Sequence, residues 1–432
     1  MKTTITAVRA RQIWDSRGRP TVEAELTLAG GAFGRALAPA GASRGAHEAI
    51  DLRDGGPRFG GWGVDRAVAA VNGEIARLLL GRDCADQVGL DLAMTDADGT
   101  ENLSRFGGNA TVAVSLAALH ATAAAVRLPL WSLLAEGRKP RLPLPEVQIF
   151  GGGAHAGRRT DVQDFMIMAP RAQSVRHALE ITADVFRAAG RLMEDSGRLA
   201  GAADEGGWWP MFASNEQALG DLTRAIELAG YRPGEDVFIS LDVAANELHA
   251  EGRYRLGLDG ADLSSGEMVE RVAQWVDRYP ILSIEDPVGQ DDLEGFALAT
   301  ARFGDKVQLI GDDILVTNAE RVRRAAAAGG GNAVLVKVNQ AGVVTRAKAA
   351  LDAAKALGWG AIVSARSGET EDVSIAHLAT GWDAGQIKVG SFARSERMAK
   401  WNELLRIEEA MGADAEFAGA SAFTASVAAG LT

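Results

Sequence analysis

Five chemically competent residues occupy equivalent places in this chain, each where a short apolar run stops. VFISL (237–241) stops at Asp242, ILSI (281–284) at Glu285 and VQLI (307–310) at Gly311-Asp312-Asp313. AVLV (333–336) stops at Lys337 and QI (386–387) at Lys388. If the runs are strands of one sheet, three carboxylates and two ammonium groups share its exit. Three oxygen donors suit a hard divalent cation, Mg²⁺ before others, with water or substrate oxygens completing the shell. Taken singly, each acid serves equally well as a cap for the following helix. A lysine crowded by metal and other cations loses its preference for the charged form and becomes a proton acceptor. The plainer alternative is an ion pair with a neighbouring acid.

Three further stretches carry chemistry. ADEGGWWP (203–210) sets Asp204 beside Glu205, and adjacent acids in a poorly solvated site cannot both ionise comfortably, so one can act as an acid. An exposed turn with an aromatic contact explains the same residues. GGGAHAGRRTDVQDFMI (151–167) offers His155 on a glycine-rich loop and Asp164 just before a strand-like run; a solvated loop histidine is the bland reading. In AIVSARSGETED (361–372) an apolar run opens into Arg366 and Ser367, yet the residue before Arg366 is Ala365, with nothing beyond a methyl group. PAGASRG (39–45) is a Gly/Ser loop able to fold over a ligand.

The elements that must position these residues show a rhythm. Each apolar run is followed by a helical stretch, such as GEMVERVAQWVDRY (266–279) or QAGVVTRAKAALDAAKALG (340–358). Alternation of that kind indicates parallel α/β units, and six or more favour a closed (β/α)8 barrel with its polar strand ends at one mouth. The first ~130 residues differ. TVEAELTL (21–28) alternates as a half-buried antiparallel strand does, and 64–135 turns helical. RKPRLPLPE (138–146), with three prolines, reads as a connection between domains at 1–137 and 143–432.

The chain has 432 residues, one cysteine and a net charge of −12 without a basic block. That argues against a disulfide framework and against nucleic acid as partner, and the N-terminus lacks the apolar core of a signal peptide. With no run of about 18 apolar residues, no membrane span is expected, and the cytoplasm is the expected compartment.

DSRGRPTVE, GASRGAHEAIDLRDG, NATVAVSLA, VQDFMIMAP, ADEGG, SLDVAANE, SIEDP, GDDILVTN, LVKVNQAG, RSGETED and QIKVGSFARSERMAKWNELLRIE occur in that order. Through these motifs the sequence resembles the enolase (phosphopyruvate hydratase) family over essentially its whole length. The resemblance implies a small α+β N-terminal domain with a lid at 39–47, followed by a barrel ordered ββαα(βα)6. It implies that Asp242, Glu285 and Asp312 hold one Mg²⁺, and that Ser43 on the lid helps hold a second with the substrate. It implies Lys337 as the base that takes the α-proton of 2-phosphoglycerate, Lys388 as the holder of the substrate carboxylate, and Glu205 as the acid at the departing hydroxide. Arg366 and Ser367 then clamp the phosphate, with His155 closing nearby. Homodimers and homo-octamers occur in the family, and either is expected.

Two departures stand out. Asp164 is one methylene shorter than the family's glutamate, and Ala365 replaces its histidine. Ala40, Arg44 and Ala46 in the lid, Trp208-Trp209, and Gly390-Ser391-Phe392 differ as well. Because Ala365 enlarges the pocket beside the phosphate clamp and Arg44 adds charge at the lid, the expectation is a paralogue. Such an enzyme would make carboxyphosphonoenolpyruvate from a nucleotide-activated phosphonoformate. The alternative is a genuine phosphopyruvate hydratase acting on a small phosphorylated carboxylate. A non-catalytic binding protein is the third reading, opposed by the intact lysines, Glu205 and acidic triad.

Overall fold

The structure, a computed structural model, describes residues 2–42 and 45–431. Ser43 and Arg44 of the expected lid lie outside the described residues. The chain begins with an antiparallel sheet in the order β1 (Ile5–Trp14), β2 (Pro20–Leu28), β3 (Phe33–Leu37). The period-two pattern sends Val22, Ala24, Leu26 and Leu28 to the buried face. On strand β1, Arg11 donates to Glu25 of β2 at 2.6 and 2.7 Å. Helix α1 (Gly108–Val126) packs on the buried face of this sheet. It is long and apolar enough to cross a membrane by length and composition, but 78% of it is buried as the core helix here. Gly34 permits the close approach: a Cβ there would lie 2.2 Å from both Ala117 O and Ala121 N.

Eight strands then close into a barrel: β4 (Leu144–Gly151), β5 (Asp164–Met168), β6 (Phe238–Asp242), β7 (Ile281–Glu285), β8 (Gln308–Gly311), β9 (Ala333–Val336), β10 (Gly360–Ser364) and β11 (Gly385–Ser391). Strand β11 pairs with β4 to complete the ring. Strand β5 runs antiparallel to both β4 and β6, and two helices, α2 (Val175–Asp195) and α3 (Asn215–Leu228), follow it. From β6 onward every strand is followed by at least one helix, so the order is ββαα(βα)6 and the fold is α/β.

The reversed strand has a consequence for the site. Because β5 starts where its neighbours end, Asp164 pairs in register with Asp242 and reaches the same mouth. The opposite end is plugged by the C-terminal segment, whose Ala418, Ala422, Phe423, Val427 and Leu431 pack on Leu144, Met168, Phe238 and Leu282.

Some local expectations are corrected. The helix read over 340–358 is two helices, Val338–Ala341 and α4 (Val344–Ala356), broken at Gly342 with φ 78°. The proline-rich connection at 138–146 ends inside β4, which begins at Leu144. Lys388 does not end a strand but lies within β11, which continues to Ser391.

Candidate active site

The carboxylates meet at the barrel mouth because they close adjacent parallel strands: Glu285 is the register partner of Asp242, and Asp312 follows the end of β8. All three are buried. Lys388 Nζ reaches across the barrel and donates to Asp242 Oδ2 at 2.9 Å and Glu285 Oε2 at 2.7 Å, with Asp164 Oδ2 at 3.7 Å. Lys337 Nζ donates to Asp312, which also accepts from Gln340 Nε2 at 2.8 Å.

Burial alone would push both ammonium groups down. Asp312 reverses that for Lys337, and Asp242 with Glu285 does so for Lys388, so both stand above the ordinary lysine value. The groups closest to each lysine are carboxylates. Glu285 is driven well above the usual carboxylate range by burial and by Asp242. Burial also works against an ionised Asp312, but Lys337 and Arg366 outweigh it and hold the group below its ordinary value.

The acids suit a divalent cation. They are an all-oxygen set, and among the described residues Glu285 Oε1 is buried with no hydrogen-bond partner. A buried acceptor of that kind is what a hard cation satisfies.

A second cluster lies on the same wall. His155 Nδ1 stands 3.4 Å from Asp164 Oδ1 and 3.8 Å from Glu205 Oε1, while Nε2 lies 3.0 Å from Ser367 Oγ. Burial opposes a charged imidazole, yet Glu205 and Asp164 overcome it and raise His155 to about 9. Asp164 in turn is brought to about 2 by His155 and Lys388 despite its burial. Gln148, on β4, also donates to Asp164. His155 is thus an engaged, buried residue, not a solvated loop histidine.

Arg366 donates to Glu48 Oε2 at 2.9 Å and to Asn339 Oδ1 at 3.1 Å. Its backbone N–H donates to Glu369 at 3.0 Å. The segment at Ala40 docks beside it, since Ala40 and Gly368 exchange backbone hydrogen bonds of 2.9 and 2.8 Å. Ala365 is buried, and its N–H donates to Lys388 O at 2.8 Å.

One small cavity, about 20 Å³, is lined by His155, Asp164, Glu205, Asp242, Lys337, Lys388 and Ala365-Arg366-Ser367. It has room for roughly one water. A larger cavity of about 470 Å³ lies beside the lid against Asn318, Gln340 and Arg346, away from the lysines. Volume does not identify the site here; the convergence of charge does.

Sequence reasoning missed the residues that hold this arrangement. Asp286 accepts the backbone N–H groups of Asp312 and Asp313 at 2.9 and 2.7 Å, and so shapes the loop after β8. Gln163 donates to Asp242 at 3.1 Å, and Glu48 anchors Arg366. The signal was present: each sits beside or within a quoted motif, SIEDP, VQDFMIMAP or GASRGAHEAIDLRDG. Nothing in one sequence says which polar neighbour turns inward.

Comparison with known proteins agrees with this geometry. Residues 5–134 match the model of the enolase N-terminal domain, and residues 139–426 that of the enolase C-terminal TIM barrel domain. A protein named Enolase from Rubrobacter xylanophilus is 48% identical over 422 residues, covering 98% of each chain.

Proposed function

The chain belongs to the enolase family, and from that premise we propose that it is a phosphopyruvate hydratase, converting 2-phosphoglycerate to phosphoenolpyruvate and water. The observation that carries the reading is a single cavity lined together by Lys337, Lys388, Glu205 and Arg366, which would supply base, carboxylate holder, acid and phosphate clamp. The near-full-length likeness to a protein named Enolase favours this activity over the phosphonoformyl paralogue.

Asp242, Glu285 and Asp312 would hold one Mg²⁺, and Ser43 would contribute to a second beside the substrate. When bound, Mg²⁺ supplies positive charge against the doubly negative species formed when an α-proton leaves a carboxylate, as is general in this superfamily. Lys337 takes that proton at Nζ. In the structure Asp312 holds Lys337 as an ammonium, so the amine becomes available when the charge of Asp312 is shared elsewhere. Lys388 already faces the carboxylates of Asp242, Glu285 and, farther off, Asp164, and would donate to the substrate's as well. Arg366 and Ser367 receive the phosphate. Glu205, in its protonated form, delivers a proton to the departing hydroxide, and His155, lying between Glu205 and Asp164, keeps both acids oriented toward the cavity. Residues 1–137 act as a cap over the barrel of 143–432, and the protein works as a homo-oligomer.

Asp164 and Ala365 are the observation favouring the second reading, in which the pocket takes a nucleotide-activated phosphonoformate. One assay separates the two. Purified protein with Mg²⁺ and 2-phosphoglycerate is followed by the ultraviolet absorbance of phosphoenolpyruvate, with Lys337→Ala and metal chelation as controls. Turnover abolished by both controls is the expected result. No turnover by the wild type, with phosphoenolpyruvate still bound, would overturn the hydratase reading and make phosphonoformyl donors the next substrates.

A further inference from the structure

The loop that carries His155 has little of its own to hold it in place. Its run GGGAHAG (151–157) contains four glycines and no large apolar side chain. It folds on itself through Gly153 N–H to Thr160 O at 3.0 Å and Arg158 N–H to Gly153 O at 2.7 Å, and an exposed Arg158–Glu247 pair ties it outward. What it leans on is Trp209. A Cβ at Gly157 would lie 3.1 Å from the indole Cζ2, and the Arg159 guanidinium stands 5.3 Å from the ring centroid. The Trp209 Nε1 is buried without a hydrogen-bond partner among the described residues, so packing and not an N–H bond places the ring.

Trp209 belongs to the hairpin whose turn carries Glu205, formed by Leu199–Ala202 and Trp208–Pro210. Alternation along the strand sends its neighbour Trp208 the other way. Trp208 stacks on Phe186 of α2 at 4.7 Å and donates from Nε1 to Phe186 O at 2.8 Å. The hairpin is therefore anchored to a barrel helix on one face and presents Trp209 to the His155 loop on the other. The turn also meets the loop at the backbone, where Asp204 N–H donates to His155 O at 3.1 Å.

We propose that Trp209, clamped by Arg159, is a positioning residue: it seats the glycine-rich loop against the Glu205 hairpin and so holds His155 beside Glu205. The kinetic part of this inference rests on the hydratase reading; the structural part does not.

The test uses the full-length protein. Arg158 and Arg159 are both exposed, so the rate of tryptic cleavage after them reports how often the loop leaves its seat. Trp209→Ala is expected to be cut there roughly 10-fold faster, to lose roughly 10-fold in kcat with little change in KM, and to titrate His155 below the wild-type value. Trp209→Phe, which keeps a ring, is expected to restore all three. Unchanged cleavage, or an unchanged His155 titration in Trp209→Ala, overturns the inference. Should Trp209→Ala fail to fold, the exposed Arg159→Gln decides it: faster cleavage after Arg158 supports the clamp, and an unchanged rate refutes it. A wild type inactive on 2-phosphoglycerate faults the proposed reaction, and cleavage and titration then decide alone.

Discussion

Replacing Asp164 with asparagine should lower the pKa of His155 and flatten the alkaline loss of stability. In the wild type two carboxylates, Glu205 at 3.8 Å and Asp164 at 3.4 Å, hold the buried imidazole at about 9 against an ordinary 6.5. A shift of that size is about 3 kcal/mol of folding stability. Since the folded value is the higher one, this stability is fully present below pH 6.5 and is lost as pH rises through about 9. The low value of Asp164, about 2 against 3.8, reflects the same pairing and is not added to it. Its contribution is present above about pH 3.8 and is lost as pH falls through 2. Asp164→Asn leaves burial and Glu205 in place but removes one partner, so His155 should fall by roughly 1 unit or more. Two measurements on metal-free protein check this. Proton NMR follows the His155 ring, assigned with His155→Gln, and urea unfolding is run at pH 6, 8 and 9.5. A wild-type His155 titrating below pH 7 would refute the reasoning. So would the same alkaline stability loss in Asp164→Asn as in the wild type.

Two other substitutions probe different parts of the molecule. Ala365→His should raise kcat/KM on 2-phosphoglycerate, by roughly 10- to 150-fold if the imidazole donates one hydrogen bond to a charged group in the transition state. A fall would show that the small side chain serves a different phosphoryl end. Gly34→Ala should lower the urea midpoint by the equivalent of about 2–3 kcal/mol or more, because its Cβ would meet backbone atoms of α1 at 2.2 Å, and backbone cannot turn aside as a side chain can. An unchanged midpoint would mean that α1 and β3 separate readily.

The sequence pattern by itself was enough for alternating α/β units and for the polar ends of the parallel strands, while the ββαα(βα)6 order was implied only by the family resemblance. A strand followed by a helix must return on the same side, so apolar runs ending in Asp242, Glu285, Asp312 and Lys337 have one mouth to share. Alternation in 21–28 likewise sufficed for an antiparallel sheet at the N-terminus. What the local pattern lacked was direction and partner. Asp164 reaches the mouth only because β5 runs backwards, a fact of its pairing with Gly151, 13 residues away, and Asp242, 78 residues away, and not of the motif around it. The motifs around Lys337 and Lys388 leave proton acceptor and ion pair equally open, and only the folded chain shows that the partners are Asp312 for Lys337 and Asp242 with Glu285 for Lys388. Asp286, Gln163 and Glu48 look like ordinary polar neighbours until the fold turns them inward. Periodicity is local and survives in a single sequence; electrostatics depends on distances between strands, and those exist only once the barrel has closed.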